Sequence, residues 1–415
     1  MISIFSPKNK IKSVPLRSLT APEFVEINFG KNVSTIVEIG DTVLKYQPLV
    51  ATTQKFASII HASISGTIDA IEGDFVRIKN NFSDQEYTFS EINLTTITKD
   101  NFVQLLQDYG IVGAGGAMFP SHIKYDIGDK SVKTFIINAA ECEPYLTADY
   151  ILLQDQFSEI IKTVDFIAQL FQFKEIVIGI EKTHKNLHKQ LNEIIVNSNS
   201  SVPIIIKWLP ESYPQGGELQ LIQSVIGIEL ARGTLPIEKG IMVNNIATIQ
   251  AIHNVLFQNI PFTERIVTIA GDSIPNTGNY KIPIGMSLNE IQHQLFPDAD
   301  LSNFNIIAGG PMMGKIITER NYAIKKGNGG LLFLQKHSAT DYNCIKCGDC
   351  VNVCPMNLMP LNFVLDNYEN DLQKFKEDRI TDCIECGACA YVCPSNVPLI
   401  EGILSGKNKL KQANA

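Results

Sequence analysis

Nine cysteines occur in 415 residues, and eight fall into two runs toward the C-terminus, Cys344-x-x-Cys347-x-x-Cys350-x-x-x-Cys354-Pro355 and Cys383-x-x-Cys386-x-x-Cys389-x-x-x-Cys393-Pro394. At this spacing three thiolates converge on one cubane from a tight loop, and the fourth, followed by proline, crosses to the neighbouring cluster. The runs therefore predict two [4Fe-4S] clusters. One would be held by Cys344, Cys347, Cys350 and Cys393, the other by Cys383, Cys386, Cys389 and Cys354. Zinc ribbons need only paired Cys-x-x-Cys units, and disulfides would leave the duplicated spacing without a reason. Such clusters carry electrons one at a time, so the spacing points to electron transfer. The ninth cysteine, Cys142, is left over from both ligand sets and is expected to be a small buried thiol.

Something must hold those thiolates, and the composition allows it. The chain is 45% hydrophobic, and domains of about 100 to 200 residues would divide it into two to four. A net charge of -8 and a pI near 5.5 provide no basic footprint for nucleic acid. No apolar stretch approaches the roughly 18 residues of a membrane span, and the opening MISIFSPKNK lacks a signal-peptide core. The expectation is a soluble or peripheral protein in a compartment reducing enough to spare iron-bound thiolates.

Along the chain, residues 25–80 read as β-rich, with short apolar runs broken at Gly30, Gly40-Asp41, Gly66 and Gly73-Asp74. This stretch resembles the hybrid sandwich of biotinyl and lipoyl carrier domains. Lys55 does not fit the hairpin tip that carries the modified lysine there, so acylation is not expected. From 100 to 250 the pattern becomes α/β. FIIN (135–138), EIVIGI (175–180) and PIIIKW (203–208) read as buried strands, and Phe157, Ile160, Ile161, Val164, Ala168 and Phe171 share a helical face. Such alternation predicts a mostly parallel sheet with its ligand crevice at the strand ends. Residues 260–320 return to short strands and one helix. KKGNGG (325–330) reads as a linker, and the 28 residues between Cys354 and Cys383 read as a helix or helix pair bracing the clusters.

Gly113-Ala-Gly115-Gly116-Ala-Met118-Phe119-Pro120, opening onto Lys124, could bring backbone amides close to a phosphate and neutralise it about a turn later. Alone, a loop of this kind is equally a surface turn. Three more segments accompany it: Asn138-Ala-Ala-Glu141-Cys142-Glu143-Pro144, Tyr213-Pro-Gln-Gly216-Gly217-Glu218 and Val243-Asn244-Asn245-Ile-Ala-Thr248. With AGGPMMG (308–314) and the cysteine runs, these resemble the flavin- and NADH-binding subunit of respiratory complex I. The chain is more similar still to the C subunit of the Rnf ion-translocating electron transport complex, a resemblance that covers essentially its whole length.

The resemblance implies a multidomain α/β and α+β protein. It would comprise a barrel-sandwich hybrid domain (1–98), a Rossmann-like FMN/NADH-binding α/β domain (99–255), an SLBB-like β-grasp domain (256–330) and a 2x[4Fe-4S] ferredoxin-type domain (331–415). By similarity Gly113, Gly115 and Gly116 would line FMN, with Lys124 on its phosphate. Asn138, Glu141 and Glu143 would sit near the isoalloxazine and the incoming nicotinamide. Tyr213, Gly216, Gly217 and Glu218 would close the other side, and Asn244, Asn245 and Thr248 would hold the phosphate end. Phe119, Glu141 and Glu218 are the residues expected around NADH. Ala140 stands where complex I carries an acidic residue and Met118 where it carries a loop glycine, so the NADH pose is what these positions alter. Without the resemblance, Glu141 and Glu143 would read as solvated acids before Pro144.

The implied function is that of a peripheral subunit on the cytoplasmic face of the membrane. It would pass electrons between NAD(H) and ferredoxin, while integral-membrane partners move ions. A flavin is the converter such a chain needs, since it takes electrons in pairs and releases them singly. The alternatives are a soluble flavin and iron-sulfur reductase, such as a cobalamin reductase, and an electron-transfer docking protein without flavin. His184 and His188 read as an i, i+4 pair on a polar helix face rather than a metal site. GKNKLKQ (406–412) reads as a frayed basic tail.

Overall fold

A computed structural model describes residues 1–413 except 5, 31–32, 53, 273, 320, 337–342 and 370. The N-terminal segment forms a short helix, α1 (Lys8–Lys12), and a two-residue strand, β1 (Arg17–Ser18). Six strands follow: β2 (Phe24–Asn28), β3 (Ser34–Thr35), β4 (Thr42–Val43), β5 (Val50–Ala51), β6 (Gly66–Glu72) and β7 (Phe75–Asn80). Strands β2, β7, β6 and β4 make one antiparallel sheet, and β3 and β5 pair as a ribbon. Alternate residues point inward, so Val25, Ile27, Ile68, Val76 and Ile78 meet in one core. Lys55 is exposed in the long loop between β5 and β6, where its carbonyl oxygen lies 2.9 Å from His122 Nε2.

The α/β region opens with α2 (Lys99–Asp108), whose start is fixed by a reciprocal cap between Thr98 and Asn101, and α3 (Ser121–Tyr125). Four parallel strands follow, with helices between them. These are β8 (Thr134–Ala139), α4 (Ala148–Asp155), α5 (Phe157–Phe171), β9 (Glu175–Glu181), α6 (His188–Asn197), β10 (Ile204–Leu209), α7 (Glu218–Ile226), β11 (Ile241–Asn245) and α8 (Ile246–Gln258). Spatial order is β10-β9-β8-β11. The three strands read from apolar runs are present, but only β8 and β9 are buried; β10, which starts one residue after Pro203, is the sheet's edge, with Ile205 and Lys207 exposed. One sheet face, with Phe135, Ile137, Ile176 and Ile178, joins the core that includes Ile160, Val164 and Ile252 of α5 and α8. The other, with Ile136, Val177 and Val243, packs on Leu221 and Val225 of α7. Strand order reverses between β8 and β11, which opens a crevice at their carboxyl ends.

His184 and His188 do not share a helix. His184 lies in the 3-10 turn Lys182–Leu187, buried against Tyr150, whereas His188 begins α6 and contacts Asn192 and Trp208.

The next unit contains β12 (Glu264–Gly271), β13 (Gly278–Pro283), α9 (Leu288–Leu295), β14 (Phe304–Ala308), β15 (Lys315–Ile317) and β16 (Gly330–Gln335). Its mixed sheet runs β1-β13-β12-β16-β14-β15. Two features depart from the sequence reading. Strand β1 comes from the N-terminus, and the glycine- and lysine-rich stretch 325–330 leads into the buried strand β16 rather than into the cysteine region. Leu331, Leu332 and Phe333 are fully buried there between β12 and β14, a stronger constraint than the flexibility of the preceding glycines.

The cysteine region contains α10 (Asp349–Asn352), α11 (Pro360–Glu369), α12 (Leu372–Glu377), α13 (Ala388–Tyr391) and α14 (Leu399–Ala413). The stretch between the runs is a helix pair, with Phe363 of α11 and Phe375 of α12 fully buried beside cysteines of both runs. GKNKLKQ is not frayed. It continues α14, because Leu399, Ile403 and Leu410 form one buried stripe and Lys407 reaches the carbonyl oxygen of Cys383 at 2.7 Å and Glu385 at 2.5 Å.

Candidate functional site

The glycine loop hangs between α2 and α3, closed by the Gly113 amide donating to the Phe119 carbonyl at 2.8 Å. Thr248, in the first turn of α8, accepts from the Ala114 amide at 2.9 Å and pins the loop to the crevice. Residues 115–119 are exposed, and no protein acceptor takes the amides of Gly115 or Gly116 among the described residues. Met118 has φ of 50°, the left-handed region that a glycine adopts without penalty, so the loop keeps a glycine-like bend at that position. Phe119 stands out at the loop's tip, 42% exposed.

Asn138 and Asn245 are register partners at the ends of β8 and β11. Asn245 caps α8 by accepting from the Ala247 amide at 2.9 Å, and its own amide donates to Asp149 at 2.9 Å. Asn138 donates to the Gly216 carbonyl at 2.9 Å and accepts from the Ala140 amide at 3.1 Å, joining two loops at the strand ends. Gly216 cannot be replaced without movement, since a Cβ there would lie 2.3 Å from the Ala140 carbonyl oxygen. Lys124 donates to the Val243 carbonyl at 2.8 Å and lies 4.0 Å from the exposed Glu218. Burial lowers its pKa, and Glu218 works against that.

Glu141 points its carboxylate at the start of α4, accepting from the amides of Asp149 (3.2 Å) and Tyr150 (3.4 Å). Burial raises the pKa of Glu141, with Asp149 adding to the shift, and burial raises Asp149 as well. Lys8 of α1 reaches into the same place, donating to the Glu141 carbonyl and lying 3.6 Å from the buried Glu181 at the end of β9. Nothing local in the sequence announces Lys8, which is 133 residues from its partner. Asp149 could have been noticed as an acid in the first turn of the helix after the Asn138–Pro144 motif.

Four further expected ligand residues are likewise engaged within the protein. Asn244 is buried and donates to the Tyr125 hydroxyl at 2.7 Å, and Thr248 holds the glycine loop. Glu143 accepts from the amides of Met312 (3.0 Å) and Met313 (2.8 Å), which ties the α/β region to the loop after β14. Tyr213 is 2% exposed and donates to the Cys386 carbonyl at 2.6 Å. Gly115, Gly116, Lys124, Asn138, Glu141, Asn245, Phe119 and Glu218 sit at the carboxyl ends of β8 and β11 or on the loops and helix starts beside them.

The two cysteine runs repeat in backbone as in sequence. Lys346, Gly348 and Asn357 in the first run, and Glu385, Gly387 and Asn396 in the second, all have positive φ. Amides of Lys346 and Glu385 point at the sulfurs of Cys344 and Cys383 (3.3 Å each), and those of Leu358 and Val397 at Cys354 and Cys393 (3.4 Å each). An apolar recess is lined by Cys383, Cys386, Cys389 and, from the other run, Cys354. The recess thus gathers the four cysteines expected to hold the second cluster, and a thiol set of this kind fits that group.

Three family descriptions match the chain: the RnfC barrel sandwich hybrid domain at 4–84, the Nuo51 FMN-binding domain at 106–254 and the 4Fe-4S dicluster domain at 343–397. The C subunit of the Na(+)-translocating ferredoxin:NAD(+) oxidoreductase complex of Acetobacterium woodii is 34% identical over 395 residues, 90% of this chain and 88% of that one. The chain belongs to this C-subunit family. The corresponding C subunit of the ion-translocating oxidoreductase complex of Vibrio cholerae is 32% identical over 376 residues, 86% of this chain, which spans about half (48%) of that relative's length. An NAD+-reducing [NiFe]-hydrogenase structure shares the fold, with a TM-score of 0.53 and 16% identity, covering 77% of this chain and 66% of that one. As a family member the chain carries an FMN-binding domain and a dicluster domain. The open amides of the loop, Lys124 beside it and the cysteine-lined recess are the features that fit those groups. No described helix is long and apolar enough to cross a membrane.

Proposed function

We propose that the chain is the peripheral electron-transfer subunit of an Rnf-type ion-translocating complex. In this reading it sits on the cytoplasmic side of the membrane and passes electrons between NAD(H) and ferredoxin, and partner subunits move the ion. The α/β region would be its Rossmann-like FMN/NADH domain and the mixed sheet with α9 an SLBB-like β-grasp domain, with divisions near 98 and 255 and a third that falls after β16 rather than near 330. Bound FMN would exchange electron pairs with NAD(H) and single electrons with the clusters.

The observation that carries this reading is the contact between crevice and cysteines. Tyr213, Cys386 and Ala388 form a small core, with Ile2, Cys142 and Met312 packed against it. The loops that border the crevice thereby also wall the second cysteine run. In this assignment the loop amides and Lys124 hold the flavin phosphate, Phe119 and Glu218 orient the nicotinamide at the rim, and Glu141 is braced by α4 rather than left free to rotate. Mixing the full-length, FMN-loaded chain with NADH in a stopped-flow cell should bleach the flavin. Flavin that stays oxidised at saturating NADH, yet is bleached by dithionite, would refute the NADH role.

A further inference from the structure

Two buried cations stand behind the glycine loop, and both come from the unit that carries the mixed sheet. Arg265, on β12, donates one guanidinium nitrogen to the Ala114 carbonyl at 2.6 Å and the other to the Lys326 carbonyl. Its Nε is buried without a partner. Lys326, just before β16, donates to the Gly110 carbonyl at 2.6 Å and lies over the Phe262 ring. Each side chain is only 7% exposed, and neither has a carboxylate within ion-pair distance among the described residues. Asp149 and Glu141 act on Arg265 from farther off. The neutral neighbour of Lys326 is His61, whose ring nitrogens are buried without partners.

Burial disfavours the charged forms of both side chains, bringing the pKa of Lys326 down to about 7, so an anion seated at the loop would stabilise their protonated forms. The loop geometry says what they do. In a trans peptide the C=O and the following N–H point in opposite directions. Arg265 holds the Ala114 oxygen from behind, so the Gly115 amide is turned away from Arg265. Gly327 keeps the mixed-sheet unit close: a Cβ there would meet Met118 Cγ at 2.8 Å and the Gly116 carbonyl oxygen at 3.0 Å.

We propose that Arg265 and Lys326 are positioning residues that make this loop selective for a phosphate dianion. Arg265 aims the amide, and the two buried side chains, protonated together when an anion is seated at the loop, supply the positive potential that a phosphate monoester completes. The proposal rests on the reading of 113–118 as the flavin-phosphate loop.

The test is equilibrium binding of FMN and of riboflavin, which lacks the phosphate, to the full-length flavin-free chain, followed by flavin fluorescence. Lys326→Met and Arg265→Gln should each lower the ratio of FMN to riboflavin affinity on the order of tenfold, with riboflavin binding unchanged, and Lys326→Arg should restore it. A structural role alone would weaken both ligands together. If Arg265→Gln does not fold, Lys326→Met and its arginine rescue carry the test. An unchanged ratio, or a parallel loss of both ligands, overturns the proposal while leaving the flavin site standing. Wild-type protein that binds neither ligand overturns the flavin reading and this proposal with it.

Discussion

The two cysteine runs have one spacing, one set of positive-φ residues and matching amide-to-sulfur contacts, yet they stand in different surroundings. Cys383, Cys386 and Cys389 are buried, and Cys344 and Cys347 are exposed. The second run leans on Tyr213 and the crevice loops, whereas Cys344 and Cys347 face solvent. Local sequence therefore sets the ligand geometry, and tertiary packing separates the roles. In the proposed function, a cluster at the buried run would exchange electrons with the flavin crevice, and one at the exposed run with a partner.

Removing one ligand from each run should break the symmetry most visibly. The intact chain is expected to hold about eight iron and eight sulfide. Cys347→Ser should bring both counts to about four with little loss of thermal stability. Cys386→Ser should lose a similar amount of iron and also melt markedly lower, because it empties a recess inside an apolar core. Equal melting of the two variants would contradict the difference in burial.

Tyr213→Phe probes the contact itself. It leaves the Cys386 carbonyl without its hydroxyl partner, a loss of about 1 to 3 kcal/mol of stability. Flavin-to-cluster electron transfer, followed by cluster bleaching, should slow in this variant while the iron content stays constant.

A subtler distinction lies in potential. Lys407 holds a positive charge beside Cys383, so Lys407→Met should lower the potential of the buried cluster by about 40 mV, the one-electron equivalent of roughly 1 kcal/mol. The exposed cluster should not move in a spectroelectrochemical titration.

Acid acts on stability rather than on electron flow. Burial holds His184 well below its usual pKa, and Lys12 and Lys8 push it the same way. The folded chain therefore keeps His184 neutral while the unfolded chain protonates it below about pH 6.5. Its contribution is fully present above that pH and is lost as pH falls, at about 1.4 kcal/mol per pH unit. Urea midpoints at pH 7.5 and 5.5 should differ less in His184→Phe than in the wild type, with the buried cluster's absorbance following the same shift.

Much of this was readable from sequence because the relevant signals are local. The cysteine spacing assigns ligand sets, of which Cys354, Cys383, Cys386 and Cys389 line one recess, and the apolar runs of β8 and β9 give the centre of the parallel sheet. What escaped depends on distant partners. Two residues of β1 become a strand only because β13 offers them an edge, and Lys8 has meaning only beside Glu181. The glycines and lysines of KKGNGG suggested a linker because such residues punctuate loops, but residues 331–333 find a buried slot between β12 and β14. Tyr213 and Asn244 carry the right motif, yet the groups they bond, the Cys386 carbonyl and the Tyr125 hydroxyl, are set by packing rather than by spacing.

The most direct test of the proposed order, crevice to buried cluster to exposed cluster, is rapid-freeze electron paramagnetic resonance of the FMN-loaded chain after mixing with NADH, on wild type and Cys386→Ser. The account predicts that the buried cluster's signal precedes the exposed one's in the wild type, and that in Cys386→Ser the flavin is reduced while the exposed cluster stays oxidised on the same time scale. Reduction of the exposed cluster at the wild-type rate in Cys386→Ser would contradict it.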